Sequence, residues 1–384
     1  MKRYERWVYL CLGICVGCLL TVGGLLLMEM LTDWEALKQS DPVSDVIAAT
    51  GEAAGGGDAA QQGLTEGPRL RIAEETQVYT YEDMEQDLRT MQQMYPELMT
   101  VESMGRTLDG RELYHVVIGE ATAEKRVLIH AGIHAREYVT SQLVMKQMAD
   151  FLDRLQRNES YGGQTYAELM ERCALHIVPM VNPDGIALSQ QGLSGVRTQE
   201  AWNSVLKIAL EDEEKAEGQY LREWKSNMNG VDLNRNFDAL WEEYSDRVGR
   251  PSSMRYKGES PGSEPESAAL IRLTEAQEFD RTISYHAQGS EIYWYFGQDG
   301  EVYEATKAFG ERIAAATGYR LAEKSSKLDP AGYKDWAISK LGIPSLTIEV
   351  GKDTTPVPAQ QFPRIWQENR CVWQEALLDC VENE

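Results

Sequence analysis

Histidine, cysteine and positive charge are all scarce in this sequence. Five of the 384 residues are histidine and six are cysteine, and 61 acidic side chains outnumber 38 lysines and arginines, which gives a formal net charge of −23. Such a balance argues against a nucleic-acid partner, because phosphate binding needs a basic face. No internal repeat is visible. Hydrophobic residues make up 42% of the chain, which is enough for a globular core.

The cysteines form neither a disulfide framework nor a metal-binding motif. One group lies in the hydrophobic N-terminus, and Cys173, Cys371 and Cys380 lie in the main body without any CxxC spacing. An odd number in the body allows one bridge at most. We favour three free thiols, with a single bridge between two of them as the alternative.

The longest run without charge lies close to the N-terminus. As a helix, residues 7–28 would span roughly 33 Å, about the thickness of a bilayer core. Lysine and arginine precede the run and acidic residues follow it. The positive-inside rule then predicts that residues 1–6 are cytoplasmic and that the rest is extracellular. We expect a single-pass signal-anchor in the cell membrane; the alternative is a cleaved signal peptide and a secreted protein.

Residues 29–69 are predicted to form a flexible tether between this anchor and a folded domain of residues 70–384. Small and acidic residues dominate the segment 40–68, which contains a glycine triplet and no large aromatic side chain. Such a composition cannot bury enough apolar surface to become ordered. The globular part of the protein is therefore expected to begin near residue 70.

Strand-like and helix-like segments alternate after residue 70. Short apolar runs typical of buried strands are 126–131, 175–181, 281–286 and 345–350, and helical periodicity is found in 81–94, 139–155, 264–278, 303–315 and 360–381. This alternation predicts an α/β fold with a mostly parallel sheet. Ligands of such sheets bind at the carboxyl ends of the strands.

Two histidines and one glutamate give the main chemical signal. The first apolar run leads directly into GIHARE, where His134 and Glu137 have the i, i+3 spacing of one helical face. His286 ends the run RTISYH. Two histidines, one carboxylate and an open position form a catalytic zinc site. An isolated HxxE is usually a surface pair, but the placement of these residues beside strand ends favours a metal site.

A further histidine, His130, lies four residues before His134. A two-histidine zinc motif would require a glutamate directly after His130, and Ala131 is there instead. His130 also falls within the strand. We therefore predict a structural or supporting role for it.

Five motifs occur in the order and approximate spacing of the zinc carboxypeptidase family, which this sequence resembles over most of residues 78–380. They are GIHARE, NPDG (182–185), GVDLNRNF (230–237), SYHAQG (284–289) and TIEVG (347–351). The resemblance implies a mixed eight-stranded sheet flanked by helices. It also implies a zinc-dependent peptidase that holds one Zn²⁺ per chain.

The resemblance carries roles for individual residues in the reaction. His134, Glu137 and His286 match the zinc ligands. Glu349 matches the glutamate that activates water and returns the proton to the leaving amine. Arg197 matches the arginine that stabilises the oxyanion, with an ordinary surface arginine as the alternative.

Three further residues match positions that support substrate binding or the metal site. Asn234 and Arg235 match the pair that grips a substrate carboxylate, a contact that suits the arginine fork. Asp232 matches the carboxylate that orients a ligand histidine. Each of the three could instead cap a turn or helix.

The sequence departs from the digestive members of the family in the part that contacts the substrate. Lys327 stands where they carry a tyrosine that closes over the substrate, and Tyr333 is a weaker candidate for that role. Lys334, in GYKDW, takes the position that lines the specificity pocket. A lysine there suits a substrate with a second carboxylate; pairing with Asp335, or exposure to solvent, is the alternative.

The motif pattern looks closest to bacterial enzymes that cleave γ-D-glutamyl-meso-diaminopimelate bonds in peptidoglycan peptides. This resemblance implies a cell-wall stem peptide as substrate, and an outward-facing anchor would place the enzyme beside it. The first alternative is a carboxypeptidase that removes acidic C-terminal residues from ordinary peptides. The second is a non-catalytic cell-surface binding protein. The acidic insert of residues 198–229 would either roof the cleft or decorate the surface.

Overall fold

The computed structural model describes residues 69–73 and 78–382. The predicted stub, the membrane anchor of residues 7–28 and the tether as far as residue 68 lie outside the described residues. Within the described part, none of the helices is long and apolar enough to cross a membrane.

The described residues alternate between strands and helices, as the sequence predicts. The strands are β1 Met99–Arg106, β2 Glu112–Ile118, β3 Lys125–His130, β4 Ser160–Tyr161, β5 Gln164–Thr165, β6 Cys173–Val178, β7 Arg281–His286, β8 Glu291–Tyr293, β9 Arg320–Leu321 and β10 Ser345–Glu349. The helices are α1 Tyr81–Met94, α2 Val139–Gln156, α3 Tyr166–Arg172, α4 Pro183–Gln191, α5 Gln199–Glu211, α6 Gly218–Arg222, α7 Pro265–Ala276, α8 Gly300–Thr317, α9 Tyr333–Leu341, α10 Phe362–Asn369 and α11 Val372–Glu382.

Eight of the strands form one mixed sheet in the order β1-β2-β6-β3-β7-β10-β8-β9. The central strands β6, β3, β7 and β10 are parallel to one another. Strands β1, β2 and β8 add antiparallel pairings, and β9 lies parallel to β8. The predicted mixed, mostly parallel eight-stranded sheet is confirmed. Strands β4 and β5 form a separate hairpin.

Both faces of the central strands are buried, which explains why these strands are apolar throughout. In β3, Val127 and Ile129 belong to one hydrophobic cluster and Leu128 belongs to another. Because successive side chains of a strand point to opposite faces, the two clusters lie on opposite sides of the sheet. The sheet is thus held between two layers of apolar side chains.

Helix α1 shows how local sequence sets an element's limits. Thr80 and Asp83 form a capping box at its start, so the first backbone N–H groups are satisfied. The predicted apolar face of Met84, Leu88 and Met91 is buried.

The predicted helical stretch near the C-terminus is divided into α10 and α11. The three cysteines of the main body are free thiols, as favoured from their number.

Candidate metal centre and active-site cleft

The chain enters the site through a tight turn after β3. Gly132 has φ +65°, and a Cβ atom there would lie 2.4 Å from Ser141 Oγ, so only glycine fits this close approach. The Gly132 carbonyl accepts a hydrogen bond from Asn182 N at 2.9 Å, which fixes the turn against the segment after β6. The turn places His134 at the carboxyl end of the central parallel strands.

The next residues form a 3₁₀ turn, Ala135–Glu137, which brings the predicted pair together. In a 3₁₀ turn, residues i and i+3 are eclipsed, and Glu137 Oε1 lies 2.8 Å from His134 Nδ1. Glu137 Oε2 accepts a hydrogen bond from Ala287 N at 3.1 Å. Thr140 Oγ1 donates to the Glu137 carbonyl at 2.7 Å. The carboxylate is therefore fixed by both its backbone and its side chain.

His286 completes a buried group of three at the end of β7. Its Nδ1 atom lies 3.2 Å from His134 Nδ1 and 3.1 Å from Glu137 Oε2. In the part of the chain that the structure describes, this is the one group of three residues suited to hold a metal ion. Its residues are the predicted zinc ligands.

The geometry of this group fits zinc. Four ligand atoms about 2.0–2.1 Å from a tetrahedral zinc ion are separated from one another by roughly 3.3 Å. The two Nδ1 atoms are 3.2 Å apart, close to that separation. Two imidazole nitrogens and a carboxylate oxygen offer lone pairs to one point, where a cation removes their mutual repulsion. Three protein ligands leave one coordination position for water or substrate.

Asp232 orients the first ligand histidine, in the position predicted for it. Its Oδ1 atom lies 3.2 Å from His134 Nε2, and Lys225 Nζ donates to Oδ2 at 2.8 Å. Burial opposes its ionisation, but the charge of Lys225 and the contact with His134 outweigh burial and hold the pKa of Asp232 well below its usual range. An ionised Asp232 accepts a hydrogen bond from His134 Nε2–H, which leaves Nδ1 as the metal ligand.

Glu349 stands beside the metal ligands because β10 and β7 are parallel neighbours in register. Glu349 is paired with His286 across the two strands, whose axes are about 4.8 Å apart. Its side chain lines the same cleft as the three ligands. Burial and the negative charge of Glu137 raise the pKa of Glu349 well above its usual range, while Lys225 opposes the rise. The position suits proton transfer to and from a molecule in the cleft.

The cleft has a volume of 590 Å³ and many charged side chains. It is lined by five basic residues and five acidic ones: Arg136, Lys225, Arg235, Lys327 and Lys334, and Glu137, Glu323, Asp329, Asp335 and Glu349. Such a cleft suits a highly polar ligand rather than an apolar one.

Comparison with known proteins establishes the family. A family model described as zinc carboxypeptidase matches residues 84–371. The chain belongs to the zinc carboxypeptidase family. It is therefore a zinc metallopeptidase, and the ion that suits the group of His134, Glu137 and His286 is zinc, one per chain. The alternative of a non-catalytic cell-surface binding protein is therefore set aside.

Individual relatives and solved structures agree with this membership. The chain is 32% identical over 299 residues to gamma-D-glutamyl-L-diamino acid endopeptidase 1 of Lysinibacillus sphaericus, covering 78% of this chain and 72% of that protein. It is 31% identical to the uncharacterised protein YqgT of Bacillus subtilis, covering 79% and 78% of the two chains. The fold is similar to that of thrombin-activatable fibrinolysis inhibitor, with a TM-score of 0.64, 19% identity and coverage of 83% and 78%.

Arg197 does not line the cleft of this zinc carboxypeptidase. The prediction that it stabilises the oxyanion there is therefore corrected. Its guanidinium pairs with Glu82 at 2.7 Å and lies over the ring of Tyr81, and its side chain is 41% exposed. Its backbone N–H is held by Asp109 at 2.8 Å. These contacts keep Arg197 beside α1, among residues that do not line the cleft.

Lys225 places a positive charge in the cleft, where Arg197 was expected to lie, and it was not predicted from the sequence. Its ammonium lines the cleft, and its backbone carbonyl accepts a hydrogen bond from Ala135 N at 3.0 Å, next to His134. Within the insert of residues 198–229, Lys225 alone lines the cleft, so α5 and α6 do not roof it. One feature of the sequence could have identified Lys225. It lies seven residues before Asp232, close to the start of the GVDLNRNF motif.

Asn234 and Arg235 line the cleft on a 3₁₀ turn, Leu233–Arg235, as expected of substrate-binding residues. Asn234 Oδ1 accepts a hydrogen bond from Tyr333 N at 3.0 Å, which ties this turn to the start of α9. Arg235 Nη2 donates to Asp329 at 2.7 Å. The guanidinium thus already contacts a carboxylate, one that is 76% exposed and belongs to the chain itself.

Tyr333 does not reach the cleft, so its predicted role over the substrate is also corrected. Its side chain is fully buried, and its hydroxyl lies 3.0 Å from Thr274 Oγ1. Its ring meets the ring of His130 edge-on, and His130 Nε2 lies 2.7 Å from Ser284 Oγ. Tyr333 and His130 are therefore core residues, which agrees with the structural role predicted for the histidine.

Lys334 and Lys327 both line the cleft. Lys334 is 8% exposed and forms an ion pair with Asp335, the alternative considered for it, while remaining part of the cleft wall. Its Nζ atom also lies 3.4 Å from the Tyr295 carbonyl oxygen. The cleft therefore has a lysine at each of the two positions where the sequence departs from the digestive enzymes.

Proposed function

We propose that this zinc peptidase hydrolyses peptidoglycan stem peptides at the bond between the γ-carboxyl of D-glutamate and the amine of diaminopimelate. The observation that carries the proposal is the presence of Lys334 in the same cleft as the metal ligands and Glu349. Support comes from the relative of 32% identity, whose name describes a γ-D-glutamyl-L-diamino acid endopeptidase. A polar cleft with five basic side chains suits a stem peptide, which carries several carboxylates.

The catalytic residues divide the proton transfers and the charge stabilisation between them. His134, Glu137 and His286 would hold the zinc ion, which when bound would lower the pKa of a water molecule and polarise the scissile carbonyl. Glu349 accepts the proton of the attacking water at its carboxylate and delivers it to the leaving amine.

Lys225 is the residue to which we assign stabilisation of the developing oxyanion. Its ammonium is fixed by Asp232 at 2.8 Å and lines the cleft beside the ligand histidine. A positive charge already positioned before reaction stabilises negative charge that forms in the transition state. This assignment replaces the role first expected of Arg197.

Asn234 and Arg235 are the proposed contacts for the terminal carboxylate of the substrate. Arg235 presents its guanidinium at the cleft wall, where Asp329 contacts it. Because Asp329 is largely exposed, the pair can open at modest cost, and a substrate carboxylate can take its place. A bidentate arginine contact would then fix the substrate relative to the metal.

The alternative activity is removal of acidic C-terminal residues from ordinary peptides. The same basic residues, Arg235 and Lys334, would bind the two carboxylates of such a residue. The two activities differ in the linkage cleaved, which is a γ-amide in stem peptides and an α-amide in ordinary peptides. Linkage is therefore the variable to test.

The test uses matched peptides with the purified zinc protein. L-Ala-γ-D-Glu-meso-diaminopimelate, its α-linked isomer and an ordinary peptide that ends in L-glutamate are incubated separately, and the products are identified by mass. We expect release of diaminopimelate from the γ-linked peptide at the highest kcat/KM. Faster cleavage of the ordinary peptide would favour the alternative activity.

We also propose that the catalytic domain of residues 70–384 faces the outside of the cell, held by an anchor at residues 7–28 through the tether of residues 29–69. The charge distribution around this apolar run supports the orientation. Extraction of cells with carbonate and detergent, followed by protease treatment of intact cells, tests the location. Recovery only in the cytosol would contradict the proposal, and recovery only in the medium would favour cleavage and secretion.

A further inference from the structure

We propose that Lys334 and Asp335 act as one recognition unit for the zwitterionic end of a diaminopimelate side chain. Lys334 would bind the distal carboxylate, and Asp335 would bind the ammonium group on the same carbon. This inference rests on the proposed function and specifies which amino acid follows the scissile bond. It would make the cleft selective for diaminopimelate over both lysine and acidic amino acids.

The two side chains form a buried, oppositely charged pair in the cleft wall. Lys334 is 8% exposed and Asp335 is 7% exposed, and both line the cleft. Their ammonium and carboxylate groups contact each other directly. They occupy successive positions in the first turn of α9, so the helix fixes both charges.

Each member of the pair keeps bonding capacity for a ligand. The Lys334 ammonium has three N–H groups, and its hydrogen-bond acceptors in the protein are Asp335 and, more distantly, the Tyr295 carbonyl at 3.4 Å. It also lies 5.5 Å from the centre of the Phe296 ring. The Asp335 carboxylate accepts from Lys334 with one oxygen and from Gly332 N at 3.3 Å with the other. A carboxylate has about four acceptor positions, so it can accept from an ammonium group as well.

Charge balance favours a zwitterion over either single charge. A side chain with only a carboxylate would compete with Asp335 for Lys334 and would add a net negative charge to a largely dehydrated wall. A side chain with only an ammonium group would compete with Lys334 and add a net positive charge. A side chain with both groups adds no net charge and pairs with each member, which avoids an uncompensated buried charge.

The same reasoning predicts which stem peptides the enzyme accepts. Acylation of the side-chain amine, as occurs when two stem peptides are cross-linked through it, removes the positive charge and adds bulk at Asp335. We therefore expect free stem peptides to be better substrates than cross-linked ones. The enzyme would act before a cross-link forms or after another hydrolase has removed it.

The experiment uses four γ-linked peptides, L-Ala-γ-D-Glu-X, that differ only at the distal carbon of X. X is meso-diaminopimelate with both charges, 2-aminopimelate with the carboxylate alone, L-lysine with the ammonium group alone, or L-norleucine with neither. For the wild-type enzyme, we expect kcat/KM for diaminopimelate to exceed that for either singly charged analogue by about tenfold or more.

Variants then assign each preference to one residue. Lys334→Met should remove the preference for diaminopimelate over lysine. Asp335→Asn keeps an acceptor for the Gly332 N–H and should remove the preference for diaminopimelate over 2-aminopimelate. Ratios measured within one variant do not depend on how much of it folds. Lys340→Met is the matched control on the same helix, because Lys340 is 48% exposed and pairs with Asp238; its ratios should equal those of the wild type.

The outcomes separate this inference from the proposed function. If all four peptides are cleaved at similar rates, or if Lys334→Met and Asp335→Asn leave the ratios unchanged, the recognition unit is contradicted while γ-glutamyl hydrolysis stands. If the diaminopimelate peptide is not cleaved at all, the proposed function fails and this inference fails with it.

Discussion

The cleft contains two groups of functional side chains that are held in place in different ways. The catalytic group consists of His134, Glu137, His286, Glu349 and Lys225, which line one part of the cleft. His134, Glu137 and His286 contact one another directly, Glu349 is paired in register with His286, and Lys225 is held by Asp232. The recognition group consists of Asn234, Arg235, Lys334 and Asp335.

The recognition group lies on a 3₁₀ turn and a helix start and is held largely by ion pairs within the chain. Arg235 pairs with Asp329, and Lys334 pairs with Asp335. A substrate with matching charges can replace or join such pairs, whereas the catalytic group is surrounded by fixed partners. Under the proposed function, the catalytic residues are positioned before the substrate binds, and selectivity depends on ion pairs that a substrate can exchange or join.

The largest expected effect comes from removing a metal ligand. His286→Ala should abolish bound zinc and lower turnover below detection, because two protein ligands cannot retain the ion at ordinary concentrations. Metal content by mass spectrometry and hydrolysis of the γ-linked peptide provide the measurement. Thermal unfolding of the variant beside chelator-treated wild type controls for misfolding. Retention of one zinc ion per chain would show that the metal lies elsewhere.

The second-largest loss of activity is expected at Lys225. Lys225→Met should lower kcat by about 10²–10³-fold through loss of oxyanion stabilisation, and Lys225→Arg should recover much of it. Arg197→Met is the matched control and should change kcat less than about twofold, because its side chain lies outside the cleft. The reverse ranking of Lys225→Met and Arg197→Met would return the role to Arg197.

The smallest effect on activity is expected at Tyr333. Tyr333→Phe should leave kcat/KM nearly unchanged while lowering the free energy of unfolding by about 1 kcal/mol, because the buried hydrogen bond between the Tyr333 hydroxyl and Thr274 is lost. Denaturant unfolding and peptide kinetics measure the two quantities. A large loss of kcat/KM with unchanged stability would place the phenol over the substrate after all.

Much of the fold and of the catalytic group could be predicted from the sequence. Buried parallel strands are continuous apolar runs, and β7 spans the residues that were predicted. Strands β1, β2, β8 and β9 of the sheet were not predicted. Strands β8 and β9 have only three and two residues, too few for a readable pattern. Local motifs also placed the metal ligands and Glu349, because each of these residues is fixed to a strand end by the residues beside it.

Two residues, Arg197 and Tyr333, were wrongly predicted to line the cleft. In one case the position of the residue depends on a long insertion, and in the other on the direction of a single side chain. Arg197 was chosen because it follows the NPDG motif, but the insert of residues 198–229 returns to the cleft only at its end, with Lys225. Tyr333 begins α9 beside two residues of the cleft wall, yet its ring turns into the core towards His130. Sequence spacing does not reveal such a choice of direction.

The most direct test of the account is the Glu349→Gln variant, assayed for zinc and for turnover in the same preparation. Glu349 lines the cleft beside the metal ligands without belonging to the group of three, so the variant should keep one zinc ion per chain. Its kcat on the γ-linked peptide should fall by about 10²–10⁴-fold, because the proton acceptor is lost. Full activity with zinc bound would contradict the assignment of Glu349 as the base, and loss of zinc would show that it also holds the metal.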